Sequence, residues 1–296
     1  MSPKPSTFSI VASDPSAGEI GIAVQSKFLA VGSVVSHARG GIGAVATQAN
    51  LNFLHGSYGL DLLGSAGFSP EEVIESLLKG DEQRNTRQLG LVDASGRSAS
   101  FTGPDCFPFA ASITGSNYAC QGNILASAEV VPAMASAFES SKGFLAGRMI
   151  EALRAGQRAG GDRRGMESAH LYIVKPGYGY GKNHDRYIDL RVDHHPKPIE
   201  ELTKLLELHH LYFERPKKEE LIQIGTELEE EIRESLIILG RWTSGEDLMQ
   251  ALADYMSWEN LEERWVGQEY IDQKILMYLR DHVHDTLSKP KVESIR

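Results

Sequence analysis

The spacing of apolar residues changes part-way along the chain. Up to about His195 it is dominated by short alternating runs. "TFSIVASD", "GEIGIAVQSK", "VGSVVSHA" and "IGAVATQAN" place apolar side chains at every second position and stop at turn formers, which predicts four half-buried strands. The link "PSAGE", with Gly18, reads as a hairpin connection, and Gly40-Gly41 as a second turn. Helical spacing first appears in "SPEEVIESLLKG". There Ser69 is the expected N-cap, Pro70 the first helical residue, Glu72 the partner in a capping box, and Gly80 the stop. A hairpin around "DASG" follows, then helices over "EVVPAMASAFESS" and "GFLAGRMIEALRAGQRAG", then strands over "AHLYIVKPG" and "YIDLRVDHH". Grouped strands and grouped helices, without steady β-α alternation, predict an α+β sandwich in preference to a doubly wound sheet.

The pattern breaks at "DHHPKPIEEL", where Pro196 and Pro198 interrupt it. Beyond this point nearly everything carries apolar residues three and four apart, so a second, all-helical domain is expected. The boundaries read as a leader over 1–6, a first domain over 7–198, a helical domain over 199–288 and a tail over 289–296. A length of 296 residues agrees with two domains at roughly 150 residues each. A net charge of -10 argues against nucleic acid or an anionic membrane as partner, because both need a clustered cationic face. No apolar run approaches the ~20 residues of a membrane span, and the start lacks a secretory apolar stretch, so the expectation is a cytoplasmic protein. Cys106 and Cys120 form no CxxC pair and read as free thiols in a reducing compartment.

Several segments occur together and in order: "TFSIVASDP", "GEIGIAVQSKFLAVGSVV", "GIGAVATQA", "GLDLL", "RQLGLVD", "ASFTG", "QGNIL" and "GGDRRGMESA". In this set the chain resembles the DUF1028 family, which is related to the N-terminal nucleophile (Ntn) hydrolases. The resemblance implies an αββα sandwich. It also implies that Thr7, at the head of the first strand, attacks a carbonyl while its own α-amino group acts as base. An α-amine titrates near ~7.7–8.0, against ~10.4 for lysine, which suits it to that task at neutral pH. Residues 1–6 precede Thr7, so this chemistry requires cleavage between Ser6 and Thr7; otherwise Thr7 is a β-branched residue opening a strand.

The resemblance gives further residues a reading. Asp162 and Ser168 match, in type, an acid in a glycine turn and a serine shortly after it that orient the nucleophile. Arg163 and Arg164 either pair with Asp162 and keep it ionised or clamp a substrate carboxylate. Lys27 either neutralises developing charge or is a solvated strand end, and Arg39 falls where related enzymes place a cation. Thr47, Gln48 and Asn50 are candidates to line an oxyanion pocket. Asn123 either polarises a carbonyl or forms a turn after Gly122.

The helical block, through "YFERPKKEELIQI", "EIRESLIILG", "ALADYMSWENLEERW" and "IDQKILMYLR", is similar to a peptidoglycan-binding-type domain family, with the loop shortened to "GRWTSGED". It also reads as an interaction module, with homo-oligomerisation expected. "GYGYGKN" fails the phosphate-loop pattern, and the paired histidines point apart, so no metal site is expected. Together these readings predict an Ntn-type amide hydrolase acting on a small acylated, γ-glutamyl-type or short-peptide substrate without a cofactor. The alternatives are a noncatalytic small-anion binder on the same sandwich, with its cleft near Asp162, Arg163 and Gln48, and an assembly scaffold.

Overall fold

A computed structural model describes residues 7–65 and 67–288; the expected leader and tail lie outside the described residues. The chain divides into two compact units, residues 1–206 and 207–296.

In order, the first unit contains β1 (Thr7–Asp14), β2 (Glu19–Ser26), α1 (Gly32–Val35), β3 (Ser36–Arg39), β4 (Gly43–Ala49), α2 (Leu54–Leu63), α3 (Pro70–Leu78), β5 (Arg87–Asp93), β6 (Ser98–Thr102), β7 (Ala111–Gly115), β8 (Tyr118–Asn123), α4 (Val130–Ser140), α5 (Leu145–Arg158), β9 (Ser168–Val174) and β10 (Arg186–Val192). One antiparallel sheet runs β10-β9-β2-β1-β8-β7 and a second runs β3-β4-β5-β6. Period two explains the layering. Along β1, Phe8, Ile10 and Ala12 join the core under α4 and α5, while Val11 joins a core shared with Ala44, Ala46 and Val92 of the facing sheet. Val45, Leu89 and Leu91 face outward against Leu60, Val73 and Leu78 of α2 and α3. The result is helices, sheet, sheet, helices, an α+β sandwich.

The capping box forms as expected: Glu72 N donates to Ser69 Oγ at 3.3 Å and Ser69 N to Glu72 Oε2 at 2.7 Å. One expectation needs correction, and two features lie outside the predicted elements. "VGSVVSHA" is not one strand, because its first half turns as α1 before β3 begins. The segment "NLNFLHGSYG" contributes most of α2. Its glycines are packing positions, since a Cβ on Gly56 would stand 2.2 Å from the His37 ring. The pair β7 and β8 was not anticipated at all.

The second unit begins inside α6 (Pro198–Phe213), followed by β11 (Leu221–Gln223), α7 (Thr226–Ile238), α8 (Leu248–Trp258), β12 (Tyr270–Asp272) and α9 (Gln273–Ser288). Its core is Ile232, Leu236, Leu252, Tyr255, Ile271, Ile275 and Leu279. A small ladder of the three-residue strands β11 and β12 lies among the helices of this helical unit. Arg264 and Asp272, both almost fully buried, form an ion pair, and Arg264 also donates to the carbonyls of His210 and Leu211. No described helix is long and apolar enough to cross a membrane.

Candidate functional site

The leading end of β1 lies between β2 and β8. Register pairs Thr7 with Ser26 on one side and Asn123 on the other, and Ser26 with Ser168 on β9. A row of polar residues, Asn123, Thr7, Ser26 and Ser168, therefore crosses four adjacent strands. All four are buried. Thr7 Oγ1 donates to Ser26 Oγ at 3.4 Å, and Ser26 Oγ accepts from Phe28 N at 3.0 Å. Ser168 lies two strand spacings from Thr7, about 10 Å. Its hydroxyl is used locally, donating to Phe28 O at 2.6 Å and accepting from Val31 N at 3.0 Å. Ser26, unremarked within "QSK", is the residue that touches Thr7.

Asp162 closes this end. It bridges to Leu125, two residues past Asn123, and its Oδ2 accepts from the backbone N of Lys27, the residue after Ser26, at 2.9 Å. The carboxylate is thus held between the two strands that flank β1. Arg164 locks it from the turn: its backbone N and Nε donate to Oδ1 at 2.8 and 3.2 Å, and a terminal nitrogen donates to Oδ2 at 3.0 Å. Four donors on two oxygens fill the acceptor capacity of a carboxylate. Gly160, Gly161 and Gly165 all have positive φ, which answers why the turn is glycine-rich. Arg163 donates its backbone N to Ile124 O at 3.0 Å, and its side chain is exposed.

Beneath Thr7, between the sheets, amides form a directed chain. Gln121 Nε2 donates to Ser9 Oγ at 2.6 Å, Ser9 to Gln48 Oε1 at 2.7 Å, and Gln48 Nε2 to Gln88 Oε1 at 2.8 Å. Asn123 Nδ2 also donates to Gln88 Oε1 at 2.9 Å, and Gln88 Nε2 donates to Gly122 O at 2.8 Å. Gln48 Nε2 approaches the Thr7 carbonyl at 3.4 Å. Asn123 therefore ends a strand instead of forming a turn. On the helix side of β2, both amide atoms of the fully buried Gln25 lack a hydrogen-bond partner among the described residues.

The remaining expected residues sit elsewhere. Thr47 alternates to the outer face, where Oγ1 donates to Asn52 O at 3.3 Å, and Asn50 bonds Gln83 and Thr86. The Lys27 ammonium lies outward on Glu167 at 2.7 Å; this bond, with a second from His194, holds the Glu167 carboxyl below its usual range. Arg39 pairs with Asp61 at 2.9 Å and borders a separate cavity of about 400 Å³. Cys106 and Cys120 are both free, and burial pushes the Cys120 thiol well up, which removes it as a nucleophile. No group of three or more metal-ligating side chains occurs among the described residues.

The family described as "Family of unknown function (DUF1028)" matches residues 7–202. The chain belongs to the DUF1028 family. A second match, to the "Putative peptidoglycan binding domain" family, covers residues 212–279. Among solved structures, the crystal structure of protein SPO2555 from Silicibacter pomeroyi, also assigned to DUF1028, is 31% identical with a TM-score of 0.63, covering 69% of this chain and 89% of that one. No curated protein matches. The features of the DUF1028 domain that sequence reasoning missed are Ser9, Ser26, Gln88 and Gln121. Their only signal was a polar residue where strand alternation calls for an apolar one.

Proposed function

We propose that the DUF1028 domain is an amide hydrolase of the N-terminal nucleophile kind, with Thr7 as nucleophile once residues 1–6 are removed. The observation that supports it is the arrangement at the leading end of β1: a threonine hydroxyl on Ser26, with the Asp162 carboxylate held between the flanking strands. In processing, Oγ1 of Thr7 adds to the Ser6 carbonyl carbon, the bond to the Thr7 nitrogen breaks, and the hydroxyl proton ends on that nitrogen. Water then hydrolyses the ester and restores the hydroxyl. In turnover the freed amine takes the Oγ1 proton as Oγ1 attacks a substrate amide and passes it to the departing nitrogen; water then cleaves the acyl-threonine. Asp162 acts here as a fixed negative charge that stabilises the ammonium form, because its lone pairs are already occupied. Substrates of this chemistry are small acylated, γ-glutamyl-type or short-peptide amides.

One observation favours the other reading, a small-anion binder without turnover: Thr7, Gln48 and Asn123 are all buried within the sandwich. Intact mass before and after treatment with a β-lactone separates the two. The hydrolase reading expects a chain beginning at Thr7 and an adduct on Thr7, retained in Thr7→Ser and absent in Thr7→Ala. Turnover of an N-acyl amide by protein that still carries residues 1–6 would overturn it.

A further inference from the structure

The two sheets are unequal, with six strands against four. β3 is the edge of the smaller sheet, so the inner face of β9 and β10 extends past it and is left partly uncovered. The cavity of about 400 Å³ lies here, lined by residues that include Ser36, His170, Asp189 and Arg39.

Three of these side chains connect in line. His170 Nδ1 is 3.0 Å from Ser36 Oγ, and His170 Nε2 is 3.0 Å from Asp189 Oδ1. They come from β3, β9 and β10, and each is placed by its strand. His170 is on the inner face, two residues past Ser168, and its register partner on β10 is Arg191; Asp189 is the partner of Tyr172. The imidazole is fixed on two sides. It stacks on Tyr172, with ring centroids 5.7 Å apart and planes 11° from parallel. On the other side, a Cβ on Gly32 would lie 2.5 Å from the ring, so α1 can close over it only with glycine there. Bonding to His170, together with nearby Arg186 and Arg191, holds the Asp189 carboxyl below its usual range against the opposing effect of burial. An ionised carboxylate only accepts, so in the neutral imidazole the proton lies on Nε2 and Nδ1 is the acceptor toward the Ser36 hydroxyl. His170 is almost fully buried, whereas Ser36 is half-buried and opens to the cavity.

We propose that Ser36, His170 and Asp189 form a second nucleophilic centre, separate from Thr7, that hydrolyses small carboxylate-bearing esters. Ser36 Oγ attacks the acyl carbon and its proton passes to His170 Nδ1. The tetrahedral intermediate expels the alcohol oxygen, which takes that proton from His170. Water, deprotonated by the same nitrogen, then cleaves the acyl-serine, and the proton returns to Oγ as the acid leaves. Asp189 is a positioning residue, since it acts through the imidazole on one oxygen and pairs with Arg186 on the other. The acid specificity comes from Arg39, Arg186 and Arg191, which also line the cavity. Each pairs with one carboxylate, of Asp61, Asp189 and Asp193 respectively. Those pairings engage part of each five-donor guanidinium and leave other donors for a ligand carboxylate.

The full chain is treated with an alkyl fluorophosphonate and the modified peptide is located by mass. A single phosphonyl adduct on Ser36 is expected, lost in Ser36→Ala and formed about 100-fold more slowly in His170→Gln. Asp189→Asn should slow it as well, with recovery in Asp189→Glu, a pattern that a merely structural contact would not give. Turnover of 4-nitrophenyl hemisuccinate is expected to exceed that of 4-nitrophenyl acetate roughly tenfold in kcat/KM, one charge-assisted contact's worth, and to vanish in Ser36→Ala. No adduct on Ser36, an adduct on Thr7 alone, or unchanged ester turnover in Ser36→Ala overturns the proposal. Equal rates on the two esters overturn the assigned specificity. Thermal melting of each variant separates loss of chemistry from loss of fold, and labelling of the wild-type chain tests the site with no substitution at all.

Discussion

The layer between the two sheets has two unlike halves. Toward the far end of β1 it is almost all hydrocarbon, Val11, Ile20, Ile22, Ala44, Ala46, Val92 and Ala119, with the buried Ser13 as the exception. Toward the leading end the same strands place Thr7, Ser9, Gln48, Gln88, Gln121 and Asn123 in the same layer, all buried and joined by hydrogen bonds. Strand geometry is common to both halves; only side-chain chemistry differs. In the apolar half, any shape-matched side chain contributes in proportion to the area it removes from water. In the polar half the amides hold one another, since an unpaired buried polar atom costs about 1–3 kcal/mol, and Gln121 Oε1 lacks a partner among the described residues. A fold that needed only stability would extend the apolar half. The buried amide chain instead ties β1, β4, β5 and β8 together at the leading end of β1.

The largest effect that would break the comparison is at Gly90. A Cβ there would stand 2.0 Å from Gln121 Oε1, so the glycine is the gap through which the Gln121 amide enters the polar half. Gly90→Val is expected to destabilise by about 3 kcal/mol, lowering Tm by roughly 6–12 °C for a domain of this size. A variant melting within a degree of the parent would mean that the amide chain tolerates displacement.

A smaller pair of substitutions sharpens the contrast. Ile20→Ala in the apolar half should cost about 2–4 kcal/mol, and Ser9→Ala about 1–2 kcal/mol, because both Gln48 and Gln121 lose their partner. The distinguishing quantity is coupling. Ser9→Ala combined with Gln121→Met should lose less than the sum by at least about 0.5 kcal/mol, since removing both partners relieves the stranded amide. Ser9→Ala with Ile20→Ala should add. Urea unfolding of the singles and doubles measures both cycles, and equal coupling in the two would erase the distinction.

The same contrast explains what was legible in the sequence. β1, β2, β5, β9 and the capped α3 announce themselves through alternation or through Ser69 and Glu72, because one face of each packs on hydrocarbon. β8 does not: Gln121 and Asn123 point into the interior, where a pattern reader expects apolar residues. α2 was hidden for a different reason, since Gly56 and Gly59 lower helix propensity yet give the backbone its close approach to His37 and Val45. Of the site, Asp162 and Thr7 were accessible from motif order. Ser26 was not, because adjacency across strands depends on register, and Thr47 was misassigned to the pocket side because a one-residue step along β4 reverses the face. The site around His170 left no local signal, as Ser36, His170 and Asp189 come from three strands, two of them edges.

The smallest expected effect separates the layers by pH. The polar half holds only hydroxyls and amides, so it contributes no slope to stability near neutrality. The outer layer, where α2 lies on the smaller sheet, contains His55, 4% exposed. Burial lowers its pKa, Arg87 lowers it further, and Asp81 at 3.6 Å opposes. Its folded value lies below the unfolded one near ~6.5, so both states are neutral above that pH and the stability is fully present. As pH falls below 6.5 the unfolded chain takes the proton first, and stability declines until the folded pKa is passed. Asp81, lowered chiefly by its bond from Arg87, acts only in the carboxylate range below about 4, outside the range between pH 7.5 and 5. His209 in the second unit, held down to about 4 by burial, and His37, lowered by burial and packed on α2, titrate in the same sense, so the measurement must be local and read against His55→Gln. Amide hydrogen exchange of β4 and α2 between pH 7.5 and 5 should show opening free energies falling with pH in the parent and falling less in His55→Gln, while the Ser9 and Gln121 amides change alike in both. Parallel curves for α2 would place the proton uptake elsewhere and leave the two layers indistinguishable by acid.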